Sequence, residues 1–202
     1  MQFTLGLVRH GQTDWNVLGK IQGRTDIPLN ESGREQAHRL AERLFHDAHK
    51  FDVVVTSGLQ RADETGLIIA NRLGIPVEKP ERHLEERFFG LVEGTTPEER
   101  EQRWGTDWRT RDLGQEKNDE LLQRAVACIE MLYQKYEGKS VLAITHGSWL
   151  AQLFVSLHGE SSNEHIGNMS FSVLERHPEG WRTQLFNCTQ HMESRSSMEL
   201  TS

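Results

Sequence analysis

Apolar residues along this chain recur with two different periods, and the alternation between those periods outlines a layered fold. Compact apolar runs over residues 3–8, 53–56 and 140–144 read as strands buried on both faces, and residues 77–79 offer a fourth, shorter strand. Helical spacing takes over in between. Ala37, Leu40, Ala41, Leu44 and Phe45 share one helix face, Leu121, Leu122, Ala125, Ile129, Leu132 and Tyr136 share another, and helices are also expected over residues 61–73 and 148–157. Strands that alternate with helices in this way predict a layered α/β fold around a parallel sheet. Towards the end of the chain the style changes, because residues 170–177 and 181–187 flank Pro178-Glu179-Gly180 and read as a hairpin, which makes the sheet mixed. Residues 189–202 have no apolar period, and a frayed polar tail is expected there.

Composition narrows the function classes. The 202 residues suffice for a single domain with a sizeable core. A formal net charge of −7 and a pI near 5.8 argue against nucleic-acid or anionic-membrane partners, which select a broad basic surface. No run approaches the roughly 18 consecutive apolar residues of a bilayer span, and no basic region leads into an apolar signal core, so a cytoplasmic location is expected. Cys128 and Cys188 have neither metal-ligand spacing nor a reason to pair, and both read as packing residues. The ten His form no His-x-His or His-Glu-x-x-His pattern, and His38, His46 and His49 have solvated neighbours, so no metal or other cofactor is expected. A binuclear metallohydrolase would bring Asp residues to the strand ends, whereas the ends here carry Arg9, His10, Ser57 and His146.

Those strand ends hold the candidate chemistry. Residues 8–16 read Val-Arg-His-Gly-Gln-Thr-Asp-Trp-Asn. An Arg and a His at the C-terminal end of a buried strand, followed by a Gly that lets the backbone turn, make a compact cationic site for an oxyanion such as phosphate. Near neutral pH His10 has the chemistry of a nucleophile, acid, base or metal ligand. The arrangement repeats at Thr145-His146-Gly147, where a helix opens at once, so that its N–H groups and positive dipole end are expected to point at the same place. A third strand end leads into Ser57-Gly58-Leu59-Gln60-Arg61. Ser57 suits a helix cap, and Arg61 falls in a first turn where the dipole disfavours a cation, so it calls for an anion, carboxylate or ligand.

These pieces join a longer ordered set: Arg9-His10-Gly11-x-Thr13-x-x-Asn16, Gln22-Gly23, Pro28-Leu29-Asn30-x-x-Gly33-x-x-Gln36-Ala37, Ser57-x-Leu59-x-Arg61-Ala62-x-x-Thr65, Leu84-x-Glu86-x-x-x-Gly90-x-x-Glu93-Gly94 and Thr145-His146-Gly147. In order and spacing the chain resembles the histidine phosphatase superfamily, also called the phosphoglycerate mutase-like family. The resemblance implies one catalytic domain over residues 1–188, a three-layer α/β/α arrangement with a mostly parallel mixed sheet, and a small helical lid insertion over residues 95–118. It assigns His10 the in-line attack on phosphorus and a phosphohistidine intermediate, with Arg9, Arg61 and His146 around the phosphoryl oxygens and Asn16 as a further donor. Thr13, Gln22, Gly23 and Gly147 carry over as binding positions, and Trp15 and Gln22, beside the nucleophile loop, are expected to line the site. The physical logic agrees: charge spread over three equatorial oxygens calls for fixed donors, and neighbouring cations favour the neutral, nucleophilic form of His10.

Glu86 matches the family's acid position, which would protonate the leaving alkoxide and then activate water, and Leu84, Phe88 and Phe89 would partly desolvate it; Glu85 is its rival. In the charged segment 95–118, Trp104 and Trp108 either contact the substrate's non-phosphate part or simply anchor the segment to the body. The segment is short for a mutase that must hold a bisphosphate intermediate, so hydrolysis of small phosphomonoesters is the preferred reaction. Phosphoryl transfer of the mutase type and a catalytically silent phosphate-binding module are the alternatives, with monomer and homodimer both open.

Overall fold

The computed structural model describes residues 3–47, 49–159 and 165–193. In chain order its elements are β1 (Thr4–Arg9), α1 (Asp14–Val17), α2 (Glu31–His46), β2 (Val53–Thr56), α3 (Gln60–Leu73), α4 (Pro97–Trp104), α5 (Asn118–Lys135), β3 (Val141–Thr145), α6 (Gly147–His158), β4 (Phe171–His177) and β5 (Gly180–Cys188). The five strands form one mixed sheet in the order β2-β3-β1-β4-β5. β2, β3 and β1 run parallel, and β4 and β5 are added antiparallel, as expected of a terminal hairpin.

Strand alternation sorts the core onto two sheet faces. Phe3, Leu5, Leu7, Val53, Val55, Val141 and Ala143 join one cluster with Leu121, Ala125, Ile129 and Leu132 of α5 and Trp149, Leu150, Leu153 and Phe154 of α6. On the opposite face Val8, Val54, Leu142 and Ile144 pack with Ala37, Leu40, Ala41 and Leu44 of α2 and Ala62, Ile69 and Ala70 of α3. β2 and β3 are buried at every residue because helices cover both faces, which explains their unbroken apolar sequences. A third, smaller cluster of Val92, Trp108 and Leu113 lies under the 95–118 segment, with Ile21, Phe89 and Trp104 packed against it.

Two expectations change in detail. Residues 77–79 form no full strand: Val77 makes an isolated parallel bridge to Val54, and Pro76 and Pro80 on either side lack the N–H groups a longer ladder needs. The start of the expected polar tail is docked. A turn of 3-10 helix at Gln190–Met192 lies on α2, where Met192 packs against the core and its carbonyl accepts from Arg39 at 3.4 Å. Residues 194–202 of that tail lie outside the described residues.

The parallel strands set up the site. β1 and β3 are in register with Arg9 opposite Thr145, and β2 and β3 with Thr56 opposite Ile144. The residues that leave these strands, His10, Ser57 and His146, therefore emerge at one edge of the sheet.

α3 approaches the sheet closely through Gly66. A Cβ there would stand 2.6 Å from Cγ2 of Thr56 and 3.1 Å from Cγ1 of Val54. Gly66→Val is expected to lose about 1–3 kcal/mol of stability by overpacking, despite its better helix propensity. Urea unfolding would check this, and an unchanged or raised midpoint would show that α3 can step back without cost.

Candidate active site

The loop after β1 that carries His10 is set by backbone packing. The His10 N–H donates to the Thr145 carbonyl at 3.0 Å, which continues the β1–β3 ladder by one bond. At Gly11 the chain passes against the start of α2 so closely that a Cβ would stand 2.5 Å from the Gly33 carbonyl oxygen. The Gly11 N–H donates to Oγ1 of Thr65 on α3 at 3.1 Å, which joins two sequence motifs in one contact. Nδ1 of His10 lies 2.7 Å from the Gly11 carbonyl, so it carries the ring proton, and Nε2 keeps its lone pair. The ring is 2% exposed.

Thr13 and Asn16 form a capping box on α1, which buries Thr13 behind the site and leaves Asn16 at the cavity wall. Oδ1 of Asn16 accepts from Thr13 and, at 3.2 Å, from Nδ2 of Asn168, so its amide NH2 is the group left as a donor. Asn168 also donates to the His10 carbonyl at 3.1 Å.

Two fully formed guanidinium sites lie beside this ring. Arg61, 0% exposed, donates to the carbonyls of Gly23 (2.7 Å) and Thr25 (3.0 Å), and Arg9 donates to the Ile166 carbonyl. Nε of each arginine is buried with no partner. Burial lowers the pKa of both, and Arg61 is brought down to about 10, still cationic at neutral pH. The His10 pKa is pushed well below 6.5, first by burial and then by Arg61 and Arg9, so the expected influence of the cations is present but second to desolvation.

His146 is buried against His10, with ring centroids 5.1 Å apart. Its Nε2 lies 2.8 Å from Oγ of Ser57, and its Nδ1 has no partner. Burial and then Arg61 hold it well below 6.5 as well. Ser57 therefore engages the imidazole instead of capping α3 by itself. The first N–H of that helix, at Gln60, donates to Asp26 at 2.8 Å.

Glu86 is buried, and of the three apolar neighbours expected to desolvate it Phe89 lines the same cavity, while polar donors meet its carboxylate. Its carboxylate accepts from the backbone N–H groups of Arg87 (2.9 Å), Ser148 (3.1 Å) and Trp149 (3.1 Å). The N-terminus of α6 is thus directed at Glu86, which corrects the expectation that it points straight at the anion. Phe88 is 42% exposed, and Leu84 turns into the core. The loop that carries Glu86 is clamped from behind: Thr145 donates to the Leu84 carbonyl at 2.7 Å, Nε1 of Trp149 to the His83 carbonyl at 2.7 Å, and Arg124 to the His83 and Glu85 carbonyls at 2.8 Å each. Glu85 faces away to pair with Arg24 at 3.4 Å.

A cavity of about 150 Å³ results, lined by Arg9, His10, Asn16, Gln22, Gly23, Arg61 and Glu86 from the expected set. Its remaining walls are Lys20, Ile21, Phe89 and Ser148. Four expected residues support the cavity without lining it. His146 stands behind His10; Thr13 caps α1; Gly147 leaves room for the Arg9 side chain, whose Nε would lie 3.3 Å from an added Cβ; and Trp15 packs at Gly94. Of the alternatives for Trp104 and Trp108, anchoring is what the structure shows: both pack in the third cluster, and Trp108 lies between the guanidiniums of Arg100 and Arg109. Sequence reasoning missed Asn168, which approaches from a loop with no motif of its own, and Lys20, which stands between two recognised motif pieces. Among the described residues, no group of three or more His, Cys, Asp or Glu is placed to hold a metal ion, and no helix is long and apolar enough to cross a membrane.

The chain is 34% identical over 189 residues to a Bacillus subtilis protein named uncharacterized phosphatase PhoE, covering 92% of this chain and 95% of that one. It is 32% identical to an Arabidopsis thaliana protein named metal-independent phosphoserine phosphatase, covering 93% of this chain and 82% of the relative. Proteins named phosphoglycerate mutase are among its relatives too. In fold it is similar to Bacillus stearothermophilus YhfR, with a TM-score of 0.84 and 30% identity over 95% of this chain and 100% of that one. The model of the histidine phosphatase superfamily (branch 1) matches residues 5–189, and the chain belongs to that superfamily.

Proposed function

We propose that this protein is a metal-independent phosphomonoesterase that hydrolyses small phosphorylated metabolites through a phosphohistidine on His10. One observation carries the reading: a neutral imidazole with a free Nε2 lines a cavity beside two buried guanidiniums whose Nε groups lack any protein partner. Charges left in that state call for an oxyanion, and phosphate matches their forked donors.

The steps follow from the placement. Nε2 of His10 attacks phosphorus as the bond to the ester oxygen breaks, while Arg9, Arg61 and the Asn16 amide hold the equatorial oxygens. Glu86 delivers a proton to the leaving alkoxide, and its carboxylate then takes a proton from the water that attacks the phosphohistidine. The P–N bond breaks, and His10 leaves as the neutral ring. Three N–H donors hold the Glu86 carboxylate in place for that second half. His146, fixed by Ser57, packs against the His10 ring and holds it in place for the attack.

Hydrolysis is preferred to mutase chemistry because the 95–118 segment packs on its own small cluster and adds none of its residues to the cavity wall. A mutase has to retain a bisphosphate and exclude water. Free phosphate released from several monoesters supports hydrolysis, whereas isomerisation that depends on a bisphosphate primer would overturn it. A reducing, cytoplasmic setting suits the two unpaired cysteines.

His10→Ala is expected to abolish turnover while leaving the urea midpoint close to that of the wild type, and residual wild-type turnover would remove His10 from the nucleophile role. Glu86→Gln should slow alkyl phosphates by about 10²-fold or more, and 4-nitrophenyl phosphate far less, because nitrophenolate needs no proton to leave. Equal slowing of both substrates would remove Glu86 from the acid role.

His10 and His146 titrate well below 6.5 in the folded protein, whereas both rings titrate near 6.5 when unfolded. The unfolded chain therefore binds protons that the folded chain refuses. Stability is complete above about pH 6.5 and falls as the pH drops through the folded values. A urea midpoint that declines below about pH 6.5, with NMR signals of both rings stationary through that pH, is the expected result. Ring shifts that move at 6.5 would contradict it.

A further inference from the structure

Glu93 takes no part in the steps above, yet its carboxylate collects four donors from two loops. Oε1 accepts from the Arg24 N–H at 3.1 Å and the Phe89 N–H at 2.9 Å, and Oε2 accepts from the N–H (3.0 Å) and the hydroxyl (2.7 Å) of Thr25. None of these donors is a cation. The charge of the carboxylate is met there by peptide and hydroxyl dipoles alone, so those dipoles are strongly polarised.

The same loop meets a cation on its other side. Arg61 donates to the Gly23 carbonyl at 2.7 Å and to the Thr25 carbonyl at 3.0 Å. The Gly23 carbonyl and the Arg24 N–H belong to one peptide group, which therefore points its oxygen at the Arg61 guanidinium and its N–H at Glu93. Each charge polarises that peptide in the sense that favours the other. Only a glycine fits the position, since Gly23 has a φ of +54° and a Cβ there would overlap Oε1 of Glu93. Burial lowers the Arg61 pKa, and Glu93 joins Glu86 and Asp26 among the carboxylates that favour its charged form. An acid in direct contact with Arg61 would take up donors meant for an oxyanion and repel it. One peptide away, the acid steadies the guanidinium and leaves its remaining N–H groups to the cavity that Arg61 lines.

We infer that Glu93 is a positioning residue, which acts through the Gly23–Arg24 peptide to fix the Arg61 guanidinium on the phosphoryl oxygens and never touches substrate itself. The inference rests on the phosphomonoesterase reading, which puts Arg61 on the transferred group, and adds to it a carboxylate set behind the cavity wall.

The test is a double-mutant cycle on the full chain, read by calorimetry as affinity for inorganic vanadate, whose equatorial oxygens resemble those of a phosphoryl group in transfer. Glu93→Gln removes the charge and keeps one acceptor oxygen. It is expected to weaken vanadate roughly ten-fold, the scale of one hydrogen bond to a charged group. Arg61→Lys, which cannot span the two carbonyls, should weaken it further, and Arg61→Lys/Glu93→Gln should fall within about two-fold of Arg61→Lys alone, because no fork remains to be oriented. Losses that multiply, as for a carboxylate that merely holds the fold together, overturn the inference, and so does unchanged affinity in Glu93→Gln or no vanadate binding by the wild type. Thr25→Val removes only the hydroxyl bond to Oε2, with an expected loss of about three-fold, and its cycle with Arg61→Lys decides the matter if Glu93→Gln does not fold. Turnover separates the two loops that Glu93 joins. Glu93→Gln should slow alkyl phosphates and 4-nitrophenyl phosphate by the same factor, whereas selective slowing of alkyl phosphates would place its effect on Glu86, through Phe89, and overturn the link to Arg61. A wild-type protein that binds vanadate and turns over neither ester removes the hydrolase reading, while the binding cycle still decides the role of Glu93.

Discussion

Positive charge buried without full compensation is the constraint on which the rest of this molecule depends. Arg9 and Arg61 are removed from water, yet each keeps an Nε with no acceptor, and His10 and His146 are driven neutral beside them. Taking such groups out of water costs several kcal/mol each unless dipoles or counter-charges make up the loss. The carbonyls of Gly23, Thr25 and Ile166 supply part of that compensation, and the Glu86 carboxylate supplies more across the cavity. What the protein does not compensate is Nε of each guanidinium, beside the cavity that His10 lines.

The surrounding fold keeps that deficit from relaxing. Three parallel strands end together, so the residues that follow them cannot move apart without breaking the ladder. Backbone contact between Gly11 and Gly33 and the bond from Gly11 to Thr65 lock the loop after β1 to two different helices. The loop that carries Glu86 is held from the other side by Thr145, Trp149 and Arg124, so Glu86 and His10 sit on supports that both include β3 or the start of α6. A site this rigid suits chemistry that depends on positioned charge more than on motion.

Much of this was legible in the chain itself. The unbroken apolar runs at β2 and β3 announced strands covered on both faces, and helical periodicity located α2, α3 and α5. Motif spacing assembled Arg9, His10, Asn16, Gln22, Gly23, Arg61 and Glu86 around one cavity. Where the reading failed, the residue's partner was distant. Phe88 and Leu84 look like a desolvating pocket for Glu86 in sequence, but the groups that actually meet its carboxylate come partly from α6, more than sixty positions away. Asn168 reaches Asn16 and His10 from the loop before β4, with no periodicity or motif to mark it.

Sequence by itself determined the layered α/β class, the strand-end chemistry and the superfamily, because burial patterns and short-range spacing are local and survive without knowledge of packing. Tertiary structure alone decided which way each side chain faces: that Glu86 receives the α6 N-terminus, that Ser57 serves His146, that Trp108 anchors, and that the Gly23–Arg24 peptide stands between Arg61 and Glu93. Orientation depends on what lies across space from a residue, and charge compensation in particular is a sum over neighbours that the order of the chain does not contain.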